Sequence, residues 1–269
     1  MSRNKLVVVV IPVHEATPDA NETLVLGYYL KLFAQYQIVF VTQSDLDTGF
    51  YEQMIRESSH PNCNFERFDY KGYDEYMHLL VSEAFYARFL DYEYMLMTHL
   101  DAFVFNADLE RWCKLNYDYI GAVVYHKTYV REYVASSRIL QTLHKFRLLR
   151  KHPLQKGGLS LRKVRTFYRN SRLFKPVIRL TDIFYTEDFF WSVRVPLLNP
   201  FFRVAPTKVA RHFAIELPDA RSKDFDPFVN RLYHLPMGCH GWKVYGYTFW
   251  KSFLETFMHK HLVDTGKED

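Results

Sequence analysis

The sequence predicts an α/β protein in which a mostly parallel central sheet is flanked by helices. Its first strand signal is the uninterrupted apolar segment LVVVVIPV at 6–13, which is typical of a strand buried on both faces. Helical patterns alternate with such strands over the first 125 residues, which favours right-handed crossovers. The length of 269 residues suits a single domain. We expect its two halves to be residues 1–126 and 127–269.

The individual elements follow from hydrophobic periodicity. From Tyr73, apolar residues recur at helical spacing at positions 77, 80, 84 and 87, which predicts one amphipathic helix. After Tyr125 the pattern becomes irregular and basic, and regular structure is expected to resume near Gly157. The other expected strands are 37–42, 65–68, 94–97 and 119–124, and the other expected helices are 21–36 and 53–58.

Several classes of protein lose their usual sequence signals. The three cysteines are odd in number and form no CxxC pair, which argues against a disulfide framework or a zinc knuckle and favours a reducing cytoplasm. The ten glycines include no GxG, so the dinucleotide fingerprint and the phosphate loop are both missing. Ser160 does not lie in a GxSxG elbow. The first ten residues do not resemble a signal peptide, and no apolar run reaches the roughly 18 residues of a membrane span.

The positive charge is concentrated in one part of the chain. The net charge is +5, and the 49 residues 133–181 hold thirteen Lys and Arg but no Asp or Glu. This basic block indicates an anionic partner, which is a phosphate-bearing ligand, an anionic membrane surface or nucleic acid. The alternative is a solvated charged face, which is the usual outcome for shorter runs.

Polar residues follow three of the expected strands. In an open α/β sheet, ligands bind beyond the carboxyl ends of the strands, so these residues are expected to share one pocket. Asp101 follows the apolar strand YMLM and is a candidate ligand for a divalent cation, although it could instead cap a turn. The polar strand ends are Pro12, Val13, His14 and Glu15, then Gln43, and finally Thr98, His99 and Asp101.

A series of short motifs carries a family resemblance. The segment YMLMTHLDAFVF at 94–105 resembles the strand and turn that bear the DxD motif in GT-A glycosyltransferases. It is followed by DYIGA at 118–122, GGLSLR at 157–162, TEDFF at 186–190 and PMGCHGW at 236–242. The order and spacing are similar to those of DUF5672, a family of glycosyltransferase-like proteins, over roughly residues 5–245.

This resemblance implies a transferase site. Asp188 corresponds to the catalytic base of an inverting sugar transfer, with Glu187 beside it, although both acids could merely complement a helix dipole. Gly157 and Gly158 would let the backbone approach the sugar, or could simply form a tight turn. Arg162 would bind the acceptor or the diphosphate, or could be surface charge.

The metal site departs from the family pattern. A standard motif has a second acid at position 103, where this chain has Phe103. The cofactor expected is Mn²⁺ or Mg²⁺, held by Asp101 and His240, with His99 as another candidate ligand. If no metal binds, the basic block would have to stabilise the leaving diphosphate.

The resemblance implies transfer from a nucleotide-sugar, expected to be a UDP-sugar, to a glycan or lipid-linked acceptor in bacterial surface-polysaccharide assembly. Residues 1–126 would bind the donor, and 127–269 the acceptor. The basic block and the aromatic C-terminal helix (Phe249, Phe253 and Phe257) suggest peripheral contact with an anionic membrane, although the aromatic stripe is more often core. A donor-binding protein that no longer transfers sugar is the alternative, and nucleic-acid binding is the least favoured interpretation.

Overall fold

The computed structural model describes residues 5–58, 60, 62–124, 154–180, 186–216, 236–243, 254, 255 and 257. These residues form a mixed sheet with helices packed on both faces. The strands are β1 (Lys5–Pro12), β2 (Gln37–Gln43), β3 (Cys63–Phe68), β4 (Tyr92–Thr98), β5 (Ala102–Val104), β6 (Tyr119–Val124), β7 (Gln155–Lys163), β8 (Ala214–Glu216) and β9 (Gly238–His240).

The helices lie between these strands in the α/β order that the sequence predicts. They are α1 (Ala20–Leu32), α2 (Gly49–Ser58), α3 (Gly72–Leu79), α4 (Glu83–Ala87), α5 (Leu109–Lys114), α6 (Val164–Leu173), α7 (Lys175–Leu180), α8 (Glu187–Phe189), α9 (Val195–Leu198) and α10 (Thr207–Phe213). A π-helical segment, Phe190–Arg194, joins α8 to α9. Among the described helices, none is long and apolar enough to cross a bilayer.

The sheet is mostly parallel, as predicted. Its strand order is β3-β2-β1-β4-β7-β6-β8-β9-β5, and only β7 and β5 run antiparallel to their neighbours within the described sheet. Strand β5 begins a few residues after β4, yet five strand spacings separate the two in this order. In a flat sheet, these five spacings would place β4 and β5 about 24 Å apart. The four residues from the end of β4 to the start of β5 can span only about 14 Å. The sheet therefore curls, and β9 approaches the end of β4.

The core confirms that β1 is buried on both faces. Val7, Val9 and Ile11 pack on one side with α1, α2, α5 and α10, and Val8 and Val10 pack on the other with α3, α4 and α6. This two-sided burial is the reason that β1 reads as an uninterrupted apolar run.

All three predicted helices differ from those observed, and the one expected at 53–58 begins four residues earlier, at Gly49. The helix expected from Tyr73 onward is divided, because Ser82 accepts a hydrogen bond from the Phe85 N–H and starts α4 as a new helix. Helix α1 begins at a capping box in which Asp19 and Glu22 bond each other's backbone N–H groups, and it ends at Leu32 rather than 36.

Part of the C-terminal aromatic stripe belongs to the core. Phe257 packs edge-on against Phe103 and Phe105, with ring centroids 5.9 and 5.2 Å away. Phe249 and Phe253 lie outside the described residues, as does the basic stretch 133–153.

Candidate active site

A cavity of about 290 Å³ opens at the carboxyl ends of β1 and β4. The sequence predicts a pocket at this edge of the sheet, and two of the three predicted strand ends meet there. The residues that line the cavity are Pro12, Val13, His14, Glu15, Glu22, Tyr51, His99, Leu100, Asp101 and Lys243.

Two of the predicted pocket residues are not part of this lining. Thr98 is fully buried, and its hydroxyl donates to the Tyr29 hydroxyl at 3.1 Å, on the side of the core. Gln43 ends β2, the strand beyond β1, and its carbonyl accepts from Arg67. Gln43 therefore does not line this cavity, and β2 is separated from β4 by β1 in the sheet.

His14 forms one wall of the cavity, and two tyrosines contact its imidazole ring. Nδ1 of His14 lies 3.0 Å from the Tyr70 hydroxyl, and its ring packs edge-on against Tyr76 at 4.4 Å between centroids. Burial lowers the pKa of His14, against the opposing charge of Glu22, so the ring is neutral near pH 7. His14 is thus a fixed, uncharged hydrogen-bonding group.

His99, Asp101 and His240 form a second group, the His–Asp–His cluster. One ligand atom from each lies within 4.8 Å of the others, and Asp101 Oδ1 is 3.5 Å from His240 Nε2. Asp101 Oδ1 and His240 Nδ1 are buried, yet neither has a hydrogen-bond partner among the described residues. Burial lowers the pKa of His99 to about 4, opposed by Asp101, which leaves a neutral imidazole.

These properties fit a divalent metal ion. A neutral imidazole is the form that binds a metal, and buried polar atoms without partners are costly unless a ligand satisfies them. Two imidazoles beside one carboxylate favour a transition metal such as Mn²⁺ over Mg²⁺, which prefers an all-oxygen set. The sequence proposed Asp101 and His240 as ligands and His99 as a candidate, and the fold brings all three together.

The fold also explains why position 103 carries no acid. Phe103 is fully buried in β5, and its ring stacks on Tyr28 at 4.9 Å on the core side. Residue His240 on β9, which pairs with Ala102, lies on the cluster side instead. The third residue of the cluster thus comes from the neighbouring strand β9 and not from position 103.

The two glycines of β7 are required by protein side chains. A Cβ on Gly158 would lie 2.1 Å from His240 Nε2, and a Cβ on Gly157 would lie 1.9 Å from Glu187 Oε1. The carbonyl of Gly158 also accepts the His99 N–H at 2.8 Å. His240 therefore fills the space beside Gly158, and Glu187 fills the space beside Gly157. The sequence suggested instead that a sugar would approach the backbone there.

Glu187 and Asp188 start α8 and form a third group with Arg162 and Lys156, the carboxyl cluster. Arg162 is fully buried, and its Nη2 donates to Glu187 Oε1 at 3.0 Å. Asp188 accepts the Gly157 N–H at 2.5 Å and lies 3.4 Å from Lys156 Nζ. Two cations of the predicted basic block are thus internal partners of the two predicted catalytic acids.

The environments of the two acids differ. The pKa of Glu187 is raised to about 8, because burial outweighs the opposing charge of Arg162 and the adjacent Asp188 adds to the shift. Its Oε2 is buried without a hydrogen-bond partner among the described residues. Asp188 is 8% exposed, against 3% for Glu187, and its Oδ2 faces the Lys156 ammonium.

Sequence reasoning missed Glu216 and Lys243. Glu216 ends β8 directly beside His240, burial raises its pKa, and its Oε2 has no hydrogen-bond partner among the described residues. Lys243 Nζ lies 2.9 Å from Glu22 Oε1 and also contacts Asp19. These contacts hold Lys243, which comes from late in the chain, at the wall of the cavity. Neither residue belongs to a recognisable sequence motif. The only available signal is that Lys243 follows His240 by three residues, in the segment HGWK.

The fold matches solved glycosyltransferases. The apo form of mouse xyloside xylosyltransferase 1 superposes with a TM-score of 0.58 at 13% identity, covering 87% of this chain and 96% of that one. The apo WbbM bifunctional glycosyltransferase gives 0.54 at 15% identity and 89% coverage, although the chain spans only 46% of it. The glycosyltransferase GlyE of Streptococcus pneumoniae TIGR4 gives 0.50 at 12% identity, with 98% and 64% covered.

These likenesses show a GT-A-like, glycosyltransferase-like fold. No curated protein matches the sequence. The model of one family, described as "Protein of unknown function (DUF5672)", matches residues 62–240, about two thirds of the chain. This stretch contains Asp101, Arg162, Asp188 and His240, which are the residues that carry the site geometry, and the chain belongs to the DUF5672 family.

Proposed function

We propose that the protein is a metal-dependent glycosyltransferase that moves a sugar from a nucleotide-sugar to a glycan or lipid-linked acceptor. The observation that carries this proposal is the His–Asp–His cluster, which borders the cavity at the carboxyl ends of β1 and β4 in a glycosyltransferase-like fold. For the donor we propose a UDP-sugar, and for the pathway bacterial surface-polysaccharide assembly; both follow from the family resemblance.

The cavity has the groups that a nucleoside diphosphate needs. Lys243 lines it together with His99 and Asp101 of the His–Asp–His cluster, so a diphosphate would lie between an ammonium and the proposed metal. When bound, the metal would neutralise the charge that grows on the departing diphosphate. The remaining lining, from Pro12 to Glu15 with Tyr51, supplies apolar surface and hydrogen-bonding groups for the nucleoside.

For the acceptor side we propose Asp188 as the general base and Glu187 as the group that positions it. The acceptor oxygen attacks the anomeric carbon while the carbon–oxygen bond to the diphosphate breaks, and the diphosphate leaves with that electron pair. Asp188 receives the proton of the acceptor hydroxyl. Asp188 Oδ2 lies 3.4 Å from Lys156 Nζ, and Asp188 is more exposed than Glu187, whose Oε1 accepts a hydrogen bond from Arg162. This arrangement would invert the anomeric configuration.

The first experiment is a thermal-shift panel of nucleoside diphosphates and nucleotide-sugars in Mn²⁺, in Mg²⁺ and in EDTA. A ligand at 100 times its dissociation constant stabilises by about 2.7 kcal/mol. We expect stabilisation by one nucleotide family in Mn²⁺, its loss in EDTA, and its loss in Asp101→Asn. Asp45→Asn is the matched control, because Asp45 is exposed and does not line the cavity.

Turnover separates a transferase from a binding protein of the same fold. We expect transfer by the wild type, and a loss of at least about 100-fold in kcat for Asp188→Asn, with donor binding unchanged. Donor binding without any turnover would favour the inactive protein. An absence of stabilisation by every nucleotide tested would contradict the whole proposal.

A further inference from the structure

A surface at the other end of the sheet combines exposed apolar and basic side chains. Phe201 is 86% exposed, Leu173 is 64% exposed and Leu198 is 53% exposed. Leu173 and Phe201 line one open groove of about 240 Å³ together with Arg169. We call these residues, with the outer face of α6, the α6 surface.

Helix α6 presents a basic stripe beside these apolar groups. Arg165, Arg169 and Arg172 are spaced four and three residues apart, so they lie on one face of the helix, and all three are exposed. The opposite face buries Val164 and Phe167 in the core. The helix has no acidic residue and lies in the acid-free stretch 133–181.

The acids near this surface have partners of their own. Asp118 in the groove is 8% exposed and accepts the Arg203 N–H at 2.8 Å. Glu83 is bonded to Lys175 at 2.6 Å and lies 3.4 Å from Arg172. Helix α6 itself therefore contributes three positive charges and no negative charge to the α6 surface.

We propose that the α6 surface docks on an anionic membrane. Exposed aromatic and aliphatic side chains that enter the headgroup region, flanked by arginines that meet lipid phosphates, are the combination that binds a helix parallel to a membrane. The positive charge decides for an anionic bilayer over a neutral one. A second copy of the chain would bring the same arginines together, which opposes self-association through this surface.

The orientation follows from the strand register. Asp118 precedes β6, whose Tyr119 pairs with Arg162, and the next residue of β7, Lys163, pairs with Tyr94 near the start of β4. The α6 surface thus lies at the amino ends of the parallel strands, whereas the cavity lies at their carboxyl ends. A docked molecule presents its cavity to the aqueous side, so docking and donor binding are separable.

The test is co-sedimentation of the full chain with vesicles of phosphatidylcholine alone or with phosphatidylglycerol at about one part in three. We expect binding to the anionic vesicles that weakens with salt. Phe201→Ser weakens it about 10-fold or more, as expected for a phenyl ring that no longer leaves water. Replacing Arg165, Arg169 and Arg172 together by Gln weakens it about 100-fold, at about fivefold for each arginine.

The matched controls are Leu24→Ser, an apolar residue 50% exposed on α1, and Arg56→Gln on α2, neither of which lies on the α6 surface. Both controls should bind vesicles like the wild type, and all variants should keep their melting temperature. Equal binding to neutral and anionic vesicles, or wild-type binding by the Phe201 and triple arginine variants, overturns the proposal. A dimer in vesicle-free solution that Phe201→Ser dissociates would also overturn it, by assigning the surface to a second copy.

Discussion

The His–Asp–His cluster and the carboxyl cluster are neighbours that differ in how many of their polar atoms have protein partners. In the carboxyl cluster, Arg162 donates to Ser160, Tyr86 and Glu187, and Asp188 is bonded to Gly157 and Lys156, although Oε2 of Glu187 has no hydrogen-bond partner among the described residues. In the His–Asp–His cluster, buried atoms of Asp101 and His240 have no hydrogen-bond partner among the described residues.

From this difference we infer that the carboxyl cluster is mainly structural and that the His–Asp–His cluster binds a ligand. Removing one member of a buried charge pair is costly, because its partner is then left buried and unpaired. Polar atoms that the protein leaves without partners are satisfied when a ligand arrives. We therefore expect substitutions in the carboxyl cluster to affect folding first, and substitutions around the His–Asp–His cluster to affect ligand binding first.

The largest expected effect is that of Arg162→Met on stability. The substitution removes the cation that faces the buried Glu187, and above pH 8, where Glu187 is ionised, breaking this buried pair costs about 3–5 kcal/mol in free energy of unfolding. Urea unfolding measures this loss. Arg88→Met is the matched control, because Arg88 pairs with Glu66 at the surface, where an ion pair contributes about 0–1 kcal/mol.

A double variant tests whether the loss arises from the pair. Arg162→Met combined with Glu187→Gln removes both charges and should recover part of the stability that Arg162→Met alone loses. If Arg162→Met unfolds at the same urea concentration as the wild type, the carboxyl cluster does not stabilise the fold. The expectation that substitutions in this cluster affect folding first would then be wrong.

The sequence predicts the strands whose burial makes a local signal. Strands β1 and β6 read as apolar runs because both their faces are covered, and they are observed within one residue of the expected bounds. Strands β5, β8 and β9 have three residues each, too few for any periodicity, and their pairing in the curled sheet fixes them. The end of α3 was missed because Ser82 acts through a cap rather than through hydrophobic spacing.

The site was predictable where a motif carried it. Asp101, Asp188 and His240 were proposed through the family resemblance, but the approach of His240 to His99 and Asp101 depends on the curl of the sheet, which no local pattern encodes. Arg162 counts as one more charge in a basic block until Glu187 is seen beside it. Glu216 is a single acid without a motif, and only its pairing with His240 reveals it.

A smaller effect is expected for Gly158→Ala, which tests whether the His–Asp–His cluster binds a metal ion. Its new Cβ would lie 2.1 Å from His240 Nε2, so the imidazole must move away from Asp101. We expect Mn²⁺ affinity to fall about 10–100-fold, the usual cost of disturbing the groups that orient a metal ligand. Isothermal titration with Mn²⁺ measures this change.

Gly27→Ala is the matched control for that substitution. Gly27 lies in α1, and its Cβ would meet only the end of Met54, at 3.6 Å, which is an ordinary contact. This variant should bind Mn²⁺ like the wild type and gain up to about 1 kcal/mol in stability, because alanine favours the helix. Equal Mn²⁺ affinity in the two variants would show that His240 is not a ligand.

The last prediction is a pH dependence of stability that belongs to Glu187. Its pKa in the folded chain is raised from 4.5 to about 8, chiefly by burial, so the folded chain holds a proton that the unfolded chain releases. The free energy of unfolding then falls as the pH rises from the unfolded value through about 8. Glu187→Gln cannot titrate and should show a flatter profile.

Urea unfolding at several pH values between about 5 and 9 measures both profiles, with Glu57→Gln as the control, because Glu57 is exposed. Parallel profiles for the wild type and Glu187→Gln would mean that Arg162 keeps Glu187 ionised throughout, and that the two form a permanent ion pair. A flatter profile for Glu187→Gln alone would instead show that the carboxyl cluster carries a proton of its own next to Asp188. In that case Glu187 adds no second negative charge beside the proposed base, which faces Lys156.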